Sequence, residues 1–308
     1  MFGYKPSHMS DHDRRAGNVV VIAGPTASGK SAAALELAAA HDGVVINADA
    51  MQVYRDLPIL TAAPDAAARA VAPHELYGVL DGAERCSAAR WRDLAVAAID
   101  AALARDVVPV VTGGTGLYLK ALMQGLAPVP RVPGEVTRAS EALFDRLGGQ
   151  AFHRRLVERD PETAALAPRD RQRQLRAWAV LEATGKSLAH WQRQPVVPVP
   201  YRFDANVIVP PRDELYAACD ARFAAMVAGG AAEEVAALLD RGLDGGLPVM
   251  KSLGVKELAA ALAGEIGLDG AIAAGQQATR RYAKRQMTWF RHQLGTARLI
   301  SNYREIAI

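Results

Sequence analysis

Residues 24–31 read Gly24-Pro25-Thr26-Ala27-Ser28-Gly29-Lys30-Ser31, two glycines with four residues between them, then a lysine and a hydroxyl. That spacing suits a polyphosphate. Gly24 and Gly29 let the backbone curl until successive N–H groups and the start of a following helix aim at one anion. Lys30 can then reach a terminal phosphate and Ser31 a Mg²⁺ ion. The flanks agree: an apolar run at 18–23 comes before the loop and a helical pattern at 32–40 after it. A chance glycine-rich turn would not require both.

Hydrolysis of a bound nucleotide would need a second acid at the end of a neighbouring apolar strand, to organise metal and water. The best later strand, 107–112, runs into Thr112-Gly113-Gly114-Thr115-Gly116 and carries no acid there. An acid does follow the run 43–47, at Asp49. The set is therefore a phosphate cradle with one strand-end carboxylate, in which phosphate serves as a handle or leaving group.

The elements around these residues alternate. Strands are expected at 18–23, 43–47 and 107–112, with helices at 29–41, 87–105 and 115–124 between and after them. This order predicts a parallel sheet with helices on both faces, a P-loop NTPase-like α/β fold. Ligands in such folds sit at the carboxyl ends of the strands, where the phosphate loop, Asp49 and 112–116 should converge. Pro128, Pro130 and Pro133 precede a helical block, and Pro195, Pro198 and Pro200 follow it. They read as hinges around an inserted all-helical subdomain at 129–197. A strand at 202–209 then rejoins the core, formed by 18–128 and 198–308, and a helical C-terminal region closes the chain.

With 308 residues, half of them apolar, the chain can bury a large core. Cys86 and Cys219 lack metal-ligand spacing, which points to a reducing, cytoplasmic compartment. Residues 1–17 are polar and are expected to form a disordered extension. No apolar run is long enough to cross a membrane. Net charge is only +3, yet between Asp269 and Glu305 there is no acid, while Arg280, Arg281, Lys284, Arg285, Arg291, Arg298 and Arg304 are basic. A local positive stripe on a near-neutral chain suits a polyanion met at one face.

Two segments arrange their cations on helical faces. A helix through 169–176 would align Arg169, Arg173 and Arg176. In the last helix Ala283, Met287, Phe290 and Leu294 form an apolar stripe, opposite Arg281, Lys284, Thr288 and Arg291. One such stripe is ordinary solvated surface; two favour nucleic acid. Tyr54, Tyr118 and Phe290 are most simply core residues, and Trp289 is a candidate base platform.

Taken in order, the phosphate loop, Asp49-Ala-Met-Gln52-Val-Tyr54, Gly113-Gly-Thr-Gly-Leu-Tyr118, Gln172-Arg-Gln-Leu-Arg176 with Thr184-Gly-Lys186, and Thr279 through Arg291 resemble the bacterial tRNA dimethylallyltransferases, also called tRNA isopentenyltransferases. The resemblance implies transfer of a dimethylallyl group from dimethylallyl diphosphate to N6 of the adenosine 3′ of the anticodon. It implies Asp49 as the base for the amine, and Lys30, Thr115, Arg222 and a Mg²⁺ on Ser31 around the diphosphate. It further implies tRNA contacts from Asp49, Ala50, Met51, Gln52, Thr115 and Arg138, and from Gln172, Arg173, Gln174, Leu175 and Arg176. Lys251, Gly254, Lys256, Lys284, Arg285, Gln286, Thr288, Trp289 and Arg291 complete that set. The partners are then the tRNA anticodon stem-loop and dimethylallyl diphosphate, with no membrane, and the chain acts as a monomer. Ala50, Ala63 and Val255 depart from the family's usual Ser, Lys-containing and Tyr patterns. Two rival readings are a small-molecule kinase and a nucleotide-gated RNA-binding module in which Asp49 would be dispensable.

Overall fold

The computed structural model describes residues 17–295, 297–301 and 305–306. The expected extension at 1–17 lies outside them except for Gly17, which opens the first strand. Arg304 of the basic stripe also lies outside.

Six strands form one parallel sheet: β1 (Gly17–Ala23), β2 (Gly43–Asn47), β3 (His74–Glu75), β4 (Val108–Gly113), β5 (Tyr201–Ile208) and β6 (Arg298–Ile300). Their order across the sheet is β3-β2-β4-β1-β5-β6. The helices are α1 (Lys30–Ala40), α2 (Pro58–Thr61), α3 (Ala66–Val71), α4 (Ala88–Leu103), α5 (Gly116–Gln124), α6 (Gly134–Arg159), α7 (Arg171–Thr184), α8 (Leu188–Gln192), α9 (Arg212–Met226), α10 (Ala232–Asp240), α11 (Val255–Leu262) and α12 (Leu268–Gln293). The expected α/β class with a parallel sheet is what the chain forms.

The central strands read as unbroken apolar runs because both faces are covered. Val19, Val21 and Ala23 pack into one core with Trp91, Ile99 and Leu119, whereas Val20 and Ile22 face Ala33, Ala34 and Ala38 of α1 on the other side. Full burial of each Val or Ile here contributes roughly 1.5–3 kcal/mol. The chain leaves β1 for β2 on one side, returns to β4, and crosses β1 to reach β5. The strand order therefore reverses between β4 and β1, and in such sheets the crevice beyond the strand ends at that point takes ligands.

The chain divides into two compact units, one containing residues through Met123 and from Val199 onward, the other spanning Gln124–Pro198. Within the second, α6 bends at Gly148 and packs on α7, with Phe152, Leu156, Ala177 and Trp178 buried between them. Strands β3 and β6 and helices α2 and α3 have no counterpart in the sequence expectation; all are too short to show a period.

Candidate active site

The loop from β1 to α1 needs its two glycines for different reasons. A Cβ on Gly24 would lie 2.6 Å from Ser28 Oγ and 3.0 Å from the Ile208 carbonyl oxygen, so a side chain has no room. At Gly29 space is open, but φ is 84°, which side chains disfavour. Ala27 accepts a similar conformation, at φ 62°, a strain of roughly 1–2 kcal/mol. Gly29 caps α1 without a side-chain bond, and the first N–H groups of a helix have no acceptor within it. They are donors for an anion.

Thr26 is gripped from two distant helices. Its N–H donates to Gln286 Oε1 at 2.8 Å, from α12, and its hydroxyl accepts from the Arg222 guanidinium, from α9. Lys30 Nζ donates to the Pro25 carbonyl at 3.2 Å. Burial first and the Arg222 charge second bring the Lys30 ammonium down from 10.5 to about 8, against the opposing charges of Asp49 and Cys219. Burial likewise lowers Arg222, against the charges of Cys219 and Asp49.

Asp49 follows β2, and a residue passed over in the sequence holds it. Asn47 is fully buried. Its Oδ1 accepts from the Asp49 N–H at 2.7 Å, and its Nδ2 donates to the Asp49 and Leu76 carbonyls at 3.1 and 3.0 Å. Its own carbonyl accepts from Trp91 Nε1 at 2.9 Å. The Asp49 carboxylate accepts from the Met51 N–H at 2.9 Å, completing a tight local turn. Burial first, and the Asp49 charge second, push the phenols of Tyr77 and Tyr282 up, so both remain protonated at neutral pH.

The turn after β4 explains its glycines by close approach. A Cβ on Gly113 would sit 2.2 Å from the Ala48 backbone, on Gly114 2.3 Å from Gln286 Nε2, and on Gly116 2.2 Å from the Trp289 ring. Thr115 donates its N–H to the Ala48 carbonyl at 3.2 Å and accepts from the Ala50 N–H at 2.9 Å. The segments after β1, β2 and β4 are thus stitched together at the switch point. They carry a phosphate cradle, the Lys30 cation and one carboxylate, and α9 adds Arg222 through its bond to Thr26.

A profile described as IPP transferase matches residues 52–293, and one described as isopentenyl transferase matches 17–70. The chain belongs to the IPP transferase family. A tRNA dimethylallyltransferase of Rhodospirillum centenum is 56% identical over 91% of this chain and 90% of its own length. One of Rhodospirillum rubrum is 54% identical over 92% and 88%. A crystallised eukaryotic dimethylallyltransferase, described as acting on tRNA, superposes with a TM-score of 0.80 at 28% identity, covering 92% of this chain and 74% of that one.

The remaining residues singled out by resemblance to IPP transferases fall into two groups. Ser31, Lys251, Lys256, Lys284, Arg285, Thr288 and Arg291 are exposed in the first unit; Arg138, Gln172, Arg173 and Arg176 are exposed in the second. The others are used internally. Gln52 Nε2 donates to the Thr61 and Ala62 carbonyls at 2.8 and 2.9 Å. Ala50 and Met51 are half-buried against the core, and Met51 Sδ accepts from Ser252 Oγ at 3.1 Å. Gly254 begins α11 at φ 93°, under Leu60 and Phe223. Gln174 is fully buried and donates to the Ala167 and Pro168 carbonyls; Leu175 packs beside Trp178. Trp289 lies half-buried on Gly116, and Gln286 is buried.

Two charge patterns differ from expectation. Arg169 does not join the face of Arg173 and Arg176, because the Asp170 side chain accepts from the Arg173 N–H and starts α7 after it. Arg280 is neutralised from outside its own acid-free segment, by Asp220 of α9. Tyr54 and Tyr118 are core residues, as expected.

Proposed function

We propose that this chain transfers the dimethylallyl group of dimethylallyl diphosphate to N6 of the adenosine immediately 3′ of the anticodon in tRNA, giving N6-dimethylallyladenosine and diphosphate. The observation that carries this reading is that Lys30 and Arg222 both bond the phosphate loop, while Gln286 ties that loop to the turn after β4 and Thr115 of that turn bonds the backbone of Ala50, next to Asp49. No acid ends β4 to activate water. Relatives named tRNA dimethylallyltransferase at 54–56% identity supply the donor and acceptor.

The exocyclic amine of adenine is a weak nucleophile, since its lone pair is delocalised into the ring. As N6 bonds to the allylic carbon, the carbon–oxygen bond to diphosphate breaks and the amine proton passes to Asp49. Lys30, Arg222 and the α1 N–H groups receive the charge that develops on the leaving diphosphate, and Thr115 holds the Ala50 backbone beside the base. Ser31 is an exposed hydroxyl in the first turn of α1. Among the described residues no cluster of three or more His, Cys, Asp or Glu side chains could enclose a metal. This donor set fits Mg²⁺, which takes few protein oxygens and keeps phosphate and water ligands. When bound it would neutralise diphosphate charge.

The target base must leave its stack, at a cost of a few kcal/mol. We assign Lys284, Arg285, Thr288 and Arg291, with Lys251 and Lys256, to the RNA, together with Arg138, Gln172, Arg173 and Arg176 of the Gln124–Pro198 unit. One copy carries all these groups, so we assign a monomer. Among the described residues no helix is long and apolar enough to cross a membrane, and we assign the enzyme to the cytoplasm because its proposed substrate is tRNA.

The test is incubation with unmodified tRNA, labelled dimethylallyl diphosphate and Mg²⁺, followed by digestion to nucleosides. Labelled N6-dimethylallyladenosine is expected. Its absence, with phosphate transfer from ATP instead, would support a kinase.

A further inference from the structure

Gln286 lies among exposed cations of α12, yet its side chain is only 6% exposed and is engaged at both ends inside the molecule. Its Oε1 accepts from the Thr26 N–H and its Nε2 donates to the Gly114 carbonyl, each at 2.8 Å. One partner belongs to the loop after β1 and the other to the turn after β4, the two strands that flank the switch point. A primary amide offers one donor and one acceptor at this spacing. A carboxylate would set an oxygen against the Gly114 carbonyl, and an apolar side chain would leave a buried N–H and C=O unpaired. The absence of a side chain at Gly114 has the same origin, since a Cβ there would lie 2.3 Å from Nε2.

We propose that Gln286 is a positioning residue that sets the distance between the phosphate-binding loop and the Thr112–Gly116 turn, and with it the grip on diphosphate, and that it makes no contact with RNA. The proposal rests on the reading that diphosphate occupies this loop. The amide draws the Thr26 N–H away from the anion, leaving the cradle to the N–H groups that follow. Through Gly114 it also fixes Thr115, which bonds the residue after Asp49. One side chain thereby registers the leaving-group ligands against the base.

The test uses Gln286→Met, Gln286→Glu, Gly114→Ala and the Gln286→Met/Gly114→Ala double variant of the full chain. Inorganic pyrophosphate with Mg²⁺ is titrated by calorimetry, an anticodon stem-loop is titrated over a salt series, and KM and kcat are measured for the donor. Each single variant should weaken pyrophosphate at least about tenfold and raise donor KM more than it lowers kcat, with RNA affinity within about twofold and an unchanged salt slope. The double variant should be no worse than Gln286→Met, because both changes remove one bridge. Gln286→Glu should bind pyrophosphate better as pH falls, since the protonated acid both donates and accepts; wild type should show no such rescue. This pH profile also serves if Gln286→Met fails to fold. Unchanged pyrophosphate affinity, additive effects in the double variant, or weaker RNA binding with intact donor binding would overturn the proposal. Wild-type pyrophosphate binding without prenyl transfer would contradict the reading of the reaction, whereas the Gln286 comparison bears on the bridge alone.

Discussion

Replacing Lys30 by methionine should abolish a proton uptake that accompanies diphosphate binding in mildly alkaline solution. Burial holds the ammonium at about 8 in the folded protein against 10.5 for an ordinary lysine. A drop of that size disfavours the charged form by on the order of 3 kcal/mol. The folded state thus prefers the neutral amine. The penalty on stability is complete below about pH 8 and disappears as pH rises through the unfolded value near 10.5. Diphosphate reverses the preference by placing negative charge beside Nζ. At about pH 8.5 roughly three quarters of the free protein would carry neutral Lys30, so binding should draw about 0.7 proton from buffer. Calorimetry of pyrophosphate in two buffers of different ionisation enthalpy reads that number directly. Pyrophosphate and Mg²⁺ exchange protons of their own, and the difference between wild type and Lys30→Met isolates the lysine. Equal buffer dependence in the two proteins would mean that Lys30 takes up no proton on binding. A melting temperature that does not rise in Lys30→Met near neutral pH, where the buried charge has been removed, would mean that the buried ammonium carries no penalty on stability.

Three further outcomes follow from geometry. Asn47→Ala removes the bonds that hold the Asp49 backbone and the Leu76 carbonyl; stability should fall by about 1–3 kcal/mol in urea titration, and kcat should fall with donor KM little changed. Gly113→Ala drives a Cβ against the Ala48 backbone, which cannot yield, while Gly116→Ala meets the edge of Trp289, which can shift. Thermal melts should therefore rank Gly113→Ala as the worse, at about 3 kcal/mol or more against about 1–3. Replacing Arg173 and Arg176 together by alanine should weaken tRNA binding and reduce the slope of log affinity against log salt by about 1–2; an unchanged slope would make that face of α7 plain solvated surface.

The parallel α/β architecture was legible because buried strands appear as apolar runs and the alternation with helices leaves few topologies. The phosphate loop and Asp49 were legible for a related reason: chemistry of this kind depends on local spacing. What escaped depends on partners far along the chain. Gln286 sits in a basic, RNA-like run, and only the packing of α12 shows it turned toward Thr26 and Gly114. Arg280 belongs to an acid-free segment, yet Asp220 faces it from another helix. Asn47 did leave a trace, a polar residue closing the apolar run 43–47 just before the candidate base. Gly113, Gly114 and Gly116 showed in the sequence that an acid was missing, whereas in the fold each marks where another segment comes close. Strands of two and three residues, β3 and β6, are too short to leave a pattern.

In the proposed reaction a carboxylate after β2 takes the proton of an amine attacking a carbon whose diphosphate is held after β1. Single-turnover prenyl transfer to a tRNA transcript, wild type against Asp49→Ala with both substrates saturating, tests it most directly. A loss of roughly 10²–10⁴ in the rate of the chemical step is expected, with tRNA and pyrophosphate affinities within a few-fold of wild type. A variant that transfers the dimethylallyl group at the wild-type rate, or one whose defect lies wholly in tRNA binding, would contradict it.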